Sequence, residues 1–284
     1  MGLVSPNQDP DAINSADVLA QEITTLSQIN VRSFVYPDYQ ALLDALHEEE
    51  IQFAWLPPFT YLVAHNRGLG ELSLLTNHFG VYQYGFQILA HVDSQFNVYY
   101  DPQANRNFAD SQTALLQFQE RQPCWVDPQS ASGYVAPLGI LAPLGVTLKP
   151  GVFAQSHTAV IRALYIKEVC DFGVTYTTYG DPRTAATILD DLPDTLTKIV
   201  VVWQSNPDIP NLALSFTPDV PPDLRLGISN ALVNYAKTPE GQQTLTTANA
   251  YEIAGLKMFD DQVFDPLRTL VDASGIKLKD LIGK

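Results

Sequence analysis

The stretch Trp125–Pro137, W-V-D-P-Q-S-A-S-G-Y-V-A-P, holds the residue types and spacing best suited to chemistry. Four residues of strand character, Cys124–Asp127, run into a turn of Pro, Gln, Ser, Ala, Ser and Gly, and an apolar helical pattern follows. A strand that ends in small hydroxyl residues at a helix start can bind an anion. Unpaired backbone N–H groups, the positive end of the helix dipole and short O–H donors converge there. On the same evidence Ser130 and Ser132 are ordinary capping residues. A second start of this kind is Ser156-His157, where a helix N-terminus favours a neutral imidazole that still donates from one nitrogen.

Catalytic groupings are not visible. The chain has no G-x-S-x-G elbow, no H-E-x-x-H, no P-loop and no G-x-G-x-x-G opening a helix. His47, His65, His78, His91 and His157 are scattered, without metal-ligand spacing. Asp127 before Pro128 reads as a turn residue bonding its own backbone rather than as a base. The expectation is a binding protein with no cofactor, no metal and no turnover.

The elements that must position these residues alternate between strand and helix patterns, the mark of βαβ units. Asp9-Pro10 starts a helix with Ile13, Ala16, Ala20 and Ile23 on one face. Strands are expected at Val31–Tyr36, Ile51–Leu56, Leu72–Thr76 and Phe86–Ala90, then at Cys124–Asp127, Val152–Ala154, Val169–Val174 and Ile199–Trp203. A helix is expected over Gly133–Leu144, kinked or starting late because Pro137 lies inside it. Two alternating sets, a crossing near 83–90 and a return near 203–212 divide the chain into two α/β lobes. The first takes residues 1–84 and 206–284, and the second, 85–205, is inserted between them. Each lobe is expected to be a mainly parallel sheet flanked by helices, with a ligand in the cleft at strand C-termini and helix N-termini.

Composition narrows the partners. At 284 residues and 46% hydrophobic content the chain can bury a sizeable core. Its formal net charge is −15, which argues against nucleic-acid and anionic-membrane surfaces but not against a small anion in a buried site. No apolar run reaches the roughly 18–20 residues that span a bilayer, and the start of the chain carries no signal pattern. Cys124 and Cys170 form no metal spacing. Two free core cysteines are the favoured reading, with a disulfide between neighbouring strands as the alternative.

The segments D-Y-Q-A-L-L-D-A-L (38–46), F-A-W-L-P-P (53–58), W-V-D-P-Q-S-A-S-G-Y (125–134), S-H-T-A-V-I-R-A-L (156–164), V-V-V-W-Q-S-N-P-D-I-P (200–210) and K-T-P-E-G (237–241) occur in this order. Together they resemble the phosphonate/phosphite/phosphate-type solute-binding proteins of ABC importers, which have the type II periplasmic-binding-protein fold. The resemblance covers about residues 3–270, and its specific part is D-P-x-S-x-S-G with the downstream S-H. It implies an α/β, two-lobed fold that closes by a hinge on a small oxyanion-bearing ligand, a permease and an ATPase as partners, a monomer, and a periplasmic or cell-surface location. It assigns ligand contacts to Ser130, Ala131, Ser132 and Gly133, to His157, and to Tyr39 and Tyr84. Alternatives on the same fold are a biosynthetic enzyme and a ligand-sensing domain.

Three departures from that family stand out. Ala131 replaces the central Thr of an S-T-S-G turn. Where aminoalkylphosphonate binders carry an acidic residue, this chain has Thr175-Tyr176-Thr177-Thr178-Tyr179, with Tyr176 and Thr178 as replacement contacts. Where they carry an Asp after the return crossing, Asn211 follows Ile209-Pro210. An ammonium group would want those carboxylates, so the expected ligand is a bare oxyanion or one with an uncharged or aromatic remainder.

Overall fold

The computed structural model describes residues 1–282. Strands β1 (Gly2–Val4), β2 (Phe34–Tyr36), β3 (Phe53–Leu56) and β4 (Glu71–Asn77) come first, followed by the long β5 (Gln83–His91). The short β6 (Tyr100–Asp101) and β7 (Arg106–Asn107) form a hairpin. Next come β8 (Pro123–Trp125), β9 (Val152–Phe153), β10 (Phe172–Thr177) and β11 (Ile199–Gln204), then β12 (Ile209–Pro210), β13 (Ala213–Phe216) and β14 (Gly255–Met258).

These strands form two principal sheets, ordered β14-β4-β13-β3-β1-β2 and β11-β5-β10-β8-β9. The first is parallel at β2, β1 and β3 and antiparallel where β13 joins β3 and β4 and where β14 joins β4. The second is parallel at β9, β8 and β10 and antiparallel on both sides of β5. Both sheets are therefore mixed in their pairings, while most strands of each run in one direction. A strand–helix–strand crossover returns the chain in the same direction. The strands β5 in the second sheet and β13 and β14 in the first run the other way.

The chain divides into two compact units, residues 1–82 with 210–265 and 278–284, and residues 83–209 with 266–277. These bounds differ from the sequence reading at three segments: Gln83–Tyr84, Asn206–Ile209 and 266–277, all expected with the first lobe, belong with the second unit. The close approach of the last segment explains its membership: a Cβ on Gly139 would lie 2.2 Å from the Leu270 carbonyl oxygen. Only glycine lets the helix Ala136–Leu141 and the segment meet there.

Local signals account for most of the elements. Asp9 and Asp38 cap the helices Pro10–Ser27 and Tyr39–His47 through their carboxylates, which accept from Asp11 and Ala41 N–H groups. Ala16, Leu19 and Ile23 of the first helix are fully buried and enter the core of the first unit with Trp55, Leu214 and Phe216. In the second unit Phe118 and Phe172 pack with ring centroids 4.4 Å apart. Val169–Val174 was expected as a strand, but β10 begins at Phe172, because Asp171 instead turns the chain by accepting from the Gln122 N–H.

Cys124 and Cys170 are joined in a disulfide, which overturns the reading of two free core cysteines. Cys124 lies in β8 and Cys170 just before β10; the parallel pairing of these strands brings the two together, which spacing along the chain could not show. The bond closes a separation of 46 residues. Replacing both cysteines with alanine is expected to cost about 2–5 kcal/mol of stability, seen in calorimetry as an earlier transition than in the unreduced parent. Coincident transitions for the two proteins would refute a stabilising role.

Candidate functional site

Ser130 begins the turn with extended backbone, and its Oγ accepts from the Gly133 N–H at 3.0 Å. The next residues form a π-helical turn, Ala131–Val135, in which the Val135 N–H reaches back to the Ser130 carbonyl at 3.1 Å. Only then does the regular helix start at Ala136, with Pro137 in its first turn. This is the late start that Pro137 requires, since its nitrogen has no hydrogen to give. Gly133 is fixed by packing: a Cβ there would lie 2.4 Å from Val126 Cγ2 and 2.8 Å from Ser130 Oγ. Its carbonyl accepts from the Val126 N–H at 3.2 Å, holding the turn against the end of β8.

The turn leaves donors without partners. Ser132 is 3% exposed, and its hydroxyl bonds to no described residue. The N–H groups of Ala131 and Ser132 likewise have no acceptor among the described residues, and the Ser130 hydroxyl keeps its own proton. Two N–H groups and two hydroxyls at a helix N-terminus can hold an anion. Methyl at Ala131 removes a hydroxyl but leaves this backbone donor in place.

His157 opens the helix His157–Ile166 behind the Ser156 cap, whose Oγ accepts from the Ala159 N–H. Its Nδ1 accepts from the Tyr176 N–H at 3.4 Å. A backbone N–H can only donate, so Nδ1 is unprotonated and the proton of the neutral ring is on Nε2. Burial lowers the imidazole pKa from 6.5 to about 4, so the ring is neutral at pH 7. Nε2–H is then a donor with no partner among the described residues.

From His157 a row of rings continues through the second unit. His157 meets Tyr176 edge-on at 4.6 Å, Tyr176 stacks on Tyr179 at 4.5 Å, and Tyr179 meets Tyr84 edge-on at 5.2 Å. The helix and the serine turn both pack against β10, and the turn also touches β5, so serines, imidazole and rings share one region of this unit. The hydroxyls of Tyr84 and Tyr176 have no partner among the described residues, and desolvation raises the pKa of both. Of the neighbouring tyrosines, Tyr82 belongs to the first unit, where it packs on Phe259 under Lys257.

The remaining candidates have different surroundings. Tyr39 lies in the first unit, half-buried behind its Asp38 cap, with its phenol pushed up to about 12 by desolvation. Thr178 is exposed, and its Oγ1 accepts from the Gly85 N–H at 3.2 Å. Its φ of 88° is rare for a β-branched residue, and it marks the bend that brings Tyr179 back over Tyr176. Sequence reasoning gave Thr178 no such bend, because nothing local announces a positive φ at threonine. Asn211 is fully committed: its amide donates to the Thr76 and Val81 carbonyls and its oxygen accepts from Tyr251. A carboxylate could not make the first two bonds. Among the described residues no cluster of His, Cys, Asp and Glu could hold a metal ion.

A family model described as the periplasmic substrate-binding protein of a phosphonate ABC transporter matches residues 3–264. The chain belongs to that family. It is thus a solute-binding protein for a phosphonate-type ligand. Solved structures share its periplasmic-binding-protein fold. The XAC2383 protein of Xanthomonas citri, in a structure bound to ATP, is 14% identical with a TM-score of 0.69, over 99% of this chain and 98% of that one. A binding component of an ABC phosphonate transporter from Pseudomonas aeruginosa is 19% identical with a TM-score of 0.55, over 99% and 92%. PhnD1 of Prochlorococcus marinus, in complex with methylphosphonate, is 12% identical with a TM-score of 0.59, over 95% of each chain. No curated protein sequence matches the chain.

The histidine gives a pH signature. Between pH 6.5 and about 4 the unfolded chain takes up a proton at His157 that the native ring refuses, so stability falls as pH is lowered through that window. The contribution is about 3 kcal/mol when complete. His157→Gln is expected to flatten the stability profile over that range in thermal melts. An unchanged slope would show that the ring is not buried neutral.

Proposed function

We propose that the protein captures the oxyanion head of its ligand with the Ser130–Gly133 turn and the Nε2–H of His157, with Tyr84 and Tyr176 as further donors. The observation that carries this reading is Ser132, whose hydroxyl bonds to no described residue, beside the N–H groups of Ala131 and Ser132, which have no acceptor among the described residues. Neutral donors also fit a chain of net charge −15, because the anion is met by oriented dipoles and not by a basic surface.

On this reading the protein is a carrier and not an enzyme: the region has donors for a head group but no paired acid and base. Hinge closure is general to the fold, and Tyr39 of the first unit is a further ligand contact on this reading. Delivery is to a membrane permease driven by an ATPase, and the protein acts as a monomer outside the cytoplasm. The Cys124–Cys170 disulfide supports that location, since such bonds persist in oxidising compartments.

Ser132→Ala is the cleanest test. Its hydroxyl holds nothing in the fold, so the melting temperature should stay put while methylphosphonate affinity drops about 10–100-fold, the equivalent of one charge-assisted bond of roughly 1.5–3 kcal/mol. Ser130→Ala should add a similar loss together with a small destabilisation from the missing cap. Calorimetry that shows parental affinity in the double variant would remove the turn from the site.

A further inference from the structure

The ring row beside the oxyanion donors bears on what the rest of the ligand is. We propose that the site selects an oxyanion carrying a flat, uncharged substituent, and that Thr178 is the positioning residue that builds the wall receiving it. The inference rests on the oxyanion reading above.

Three cationic or neutral substituents can be compared with the geometry. A primary ammonium wants a free carboxylate. The carboxylate whose charge is felt at Tyr176 is Asp181, and Arg183 holds both its oxygens, donating from Nε to Oδ1 at 3.1 Å and from Nη2 to Oδ2 at 2.6 Å, while Gln87 donates to Oδ1 as well. A quaternary ammonium wants aromatic faces on opposite sides, each centroid within about 6 Å of the charge. Tyr176 and Tyr179 are stacked at 4.5 Å and 17° between planes, so no cation fits between their facing sides. What a stacked pair presents sideways is ring edge, the positive rim of the quadrupole, which repels a cation and attracts the face of another ring. A flat, uncharged group is the one that suits this wall.

The stack exists because of the bend at Thr178. Its φ of 88° reverses the chain between Tyr176 and Tyr179, and the Gly85 N–H bonded to its Oγ1 anchors the bend to β5. Gly85 itself must be glycine, since a Cβ there would stand 2.6 Å from Ser205 Oγ and 2.7 Å from the Asn206 carbonyl. Strain of this kind persists where the surroundings over-determine it, commonly at a binding site. Here it stacks two rings before any ligand arrives, which lowers the ordering cost of binding.

The test is calorimetric titration of the full chain with methylphosphonate, phenylphosphonate, 2-aminoethylphosphonate and phosphocholine. Phenylphosphonate should bind about tenfold tighter than methylphosphonate, the effect of one added ring contact, and neither cationic probe should surpass methylphosphonate. Tyr179→Ala should abolish the phenyl preference with methylphosphonate affinity kept, which also reports that the variant is folded. Thr178→Val should lose the preference too, whereas Thr178→Asn, which tolerates positive φ and keeps an acceptor, should retain it. Methylphosphonate binding without a phenyl preference, or a preference that survives Tyr179→Ala, overturns the inference and leaves the oxyanion site standing. Tightest binding of either cationic probe does the same. Absence of heat with every probe removes the oxyanion reading, and this inference with it.

Discussion

In the second unit, β10 runs farther than its parallel neighbour. It pairs with β8 only at Phe172 and Gly173, so the N–H of Tyr176 faces a side where no strand continues the ladder. A buried N–H must find an acceptor, and the one it finds is Nδ1 of His157. That single bond sets the tautomer of the imidazole, directs its remaining proton to Nε2 and ties the helix start to the strand end. It also brings the Tyr176 ring against the imidazole and begins the row that Tyr179 and Tyr84 extend.

The serine turn depends on a similar shortage. Beyond Trp125 the chain leaves the sheet, and Val126 takes its acceptor from Gly133 instead of from a strand. The contact is so close that only glycine fits, and the helix must open through a wider π-turn before Pro137 permits regular bonding. The donors of that first turn then point away from the protein's own acceptors. Sheet termination, and not any one catalytic-looking side chain, is thus what leaves donors free at this turn.

A solute-binding protein must hold its ligand tightly enough to capture it and reversibly enough to hand it on. Neutral dipoles suit both demands. Two N–H groups, two hydroxyls and a neutral imidazole, the donors of the proposed site, offer an anion no fixed positive charge that would keep it. The departure at Asn211 follows the same logic of commitment. Its amide is used in holding two carbonyls and a tyrosine of the first unit, and it has nothing left for a ligand.

Much of this was legible in the residues. The order of strands and helices follows from periodicity and from caps such as Asp9-Pro10, Asp38 and Ser156, because those signals act within one turn of helix. The S-A-S-G turn and the S-H start could be marked as capped helix starts for the same local reason. Tertiary structure alone decided what depends on atoms far apart in sequence. It joined Cys124 to Cys170, lined Tyr84 up with Tyr179 and Tyr176 in one row of rings, and placed a bend at Thr178 between Tyr176 and Tyr179. It also moved residues 266–277 to the second unit through the contact at Gly139. Each of these is a matter of which backbones approach closely, and close approach is fixed by packing across strands that the sequence orders but does not place side by side.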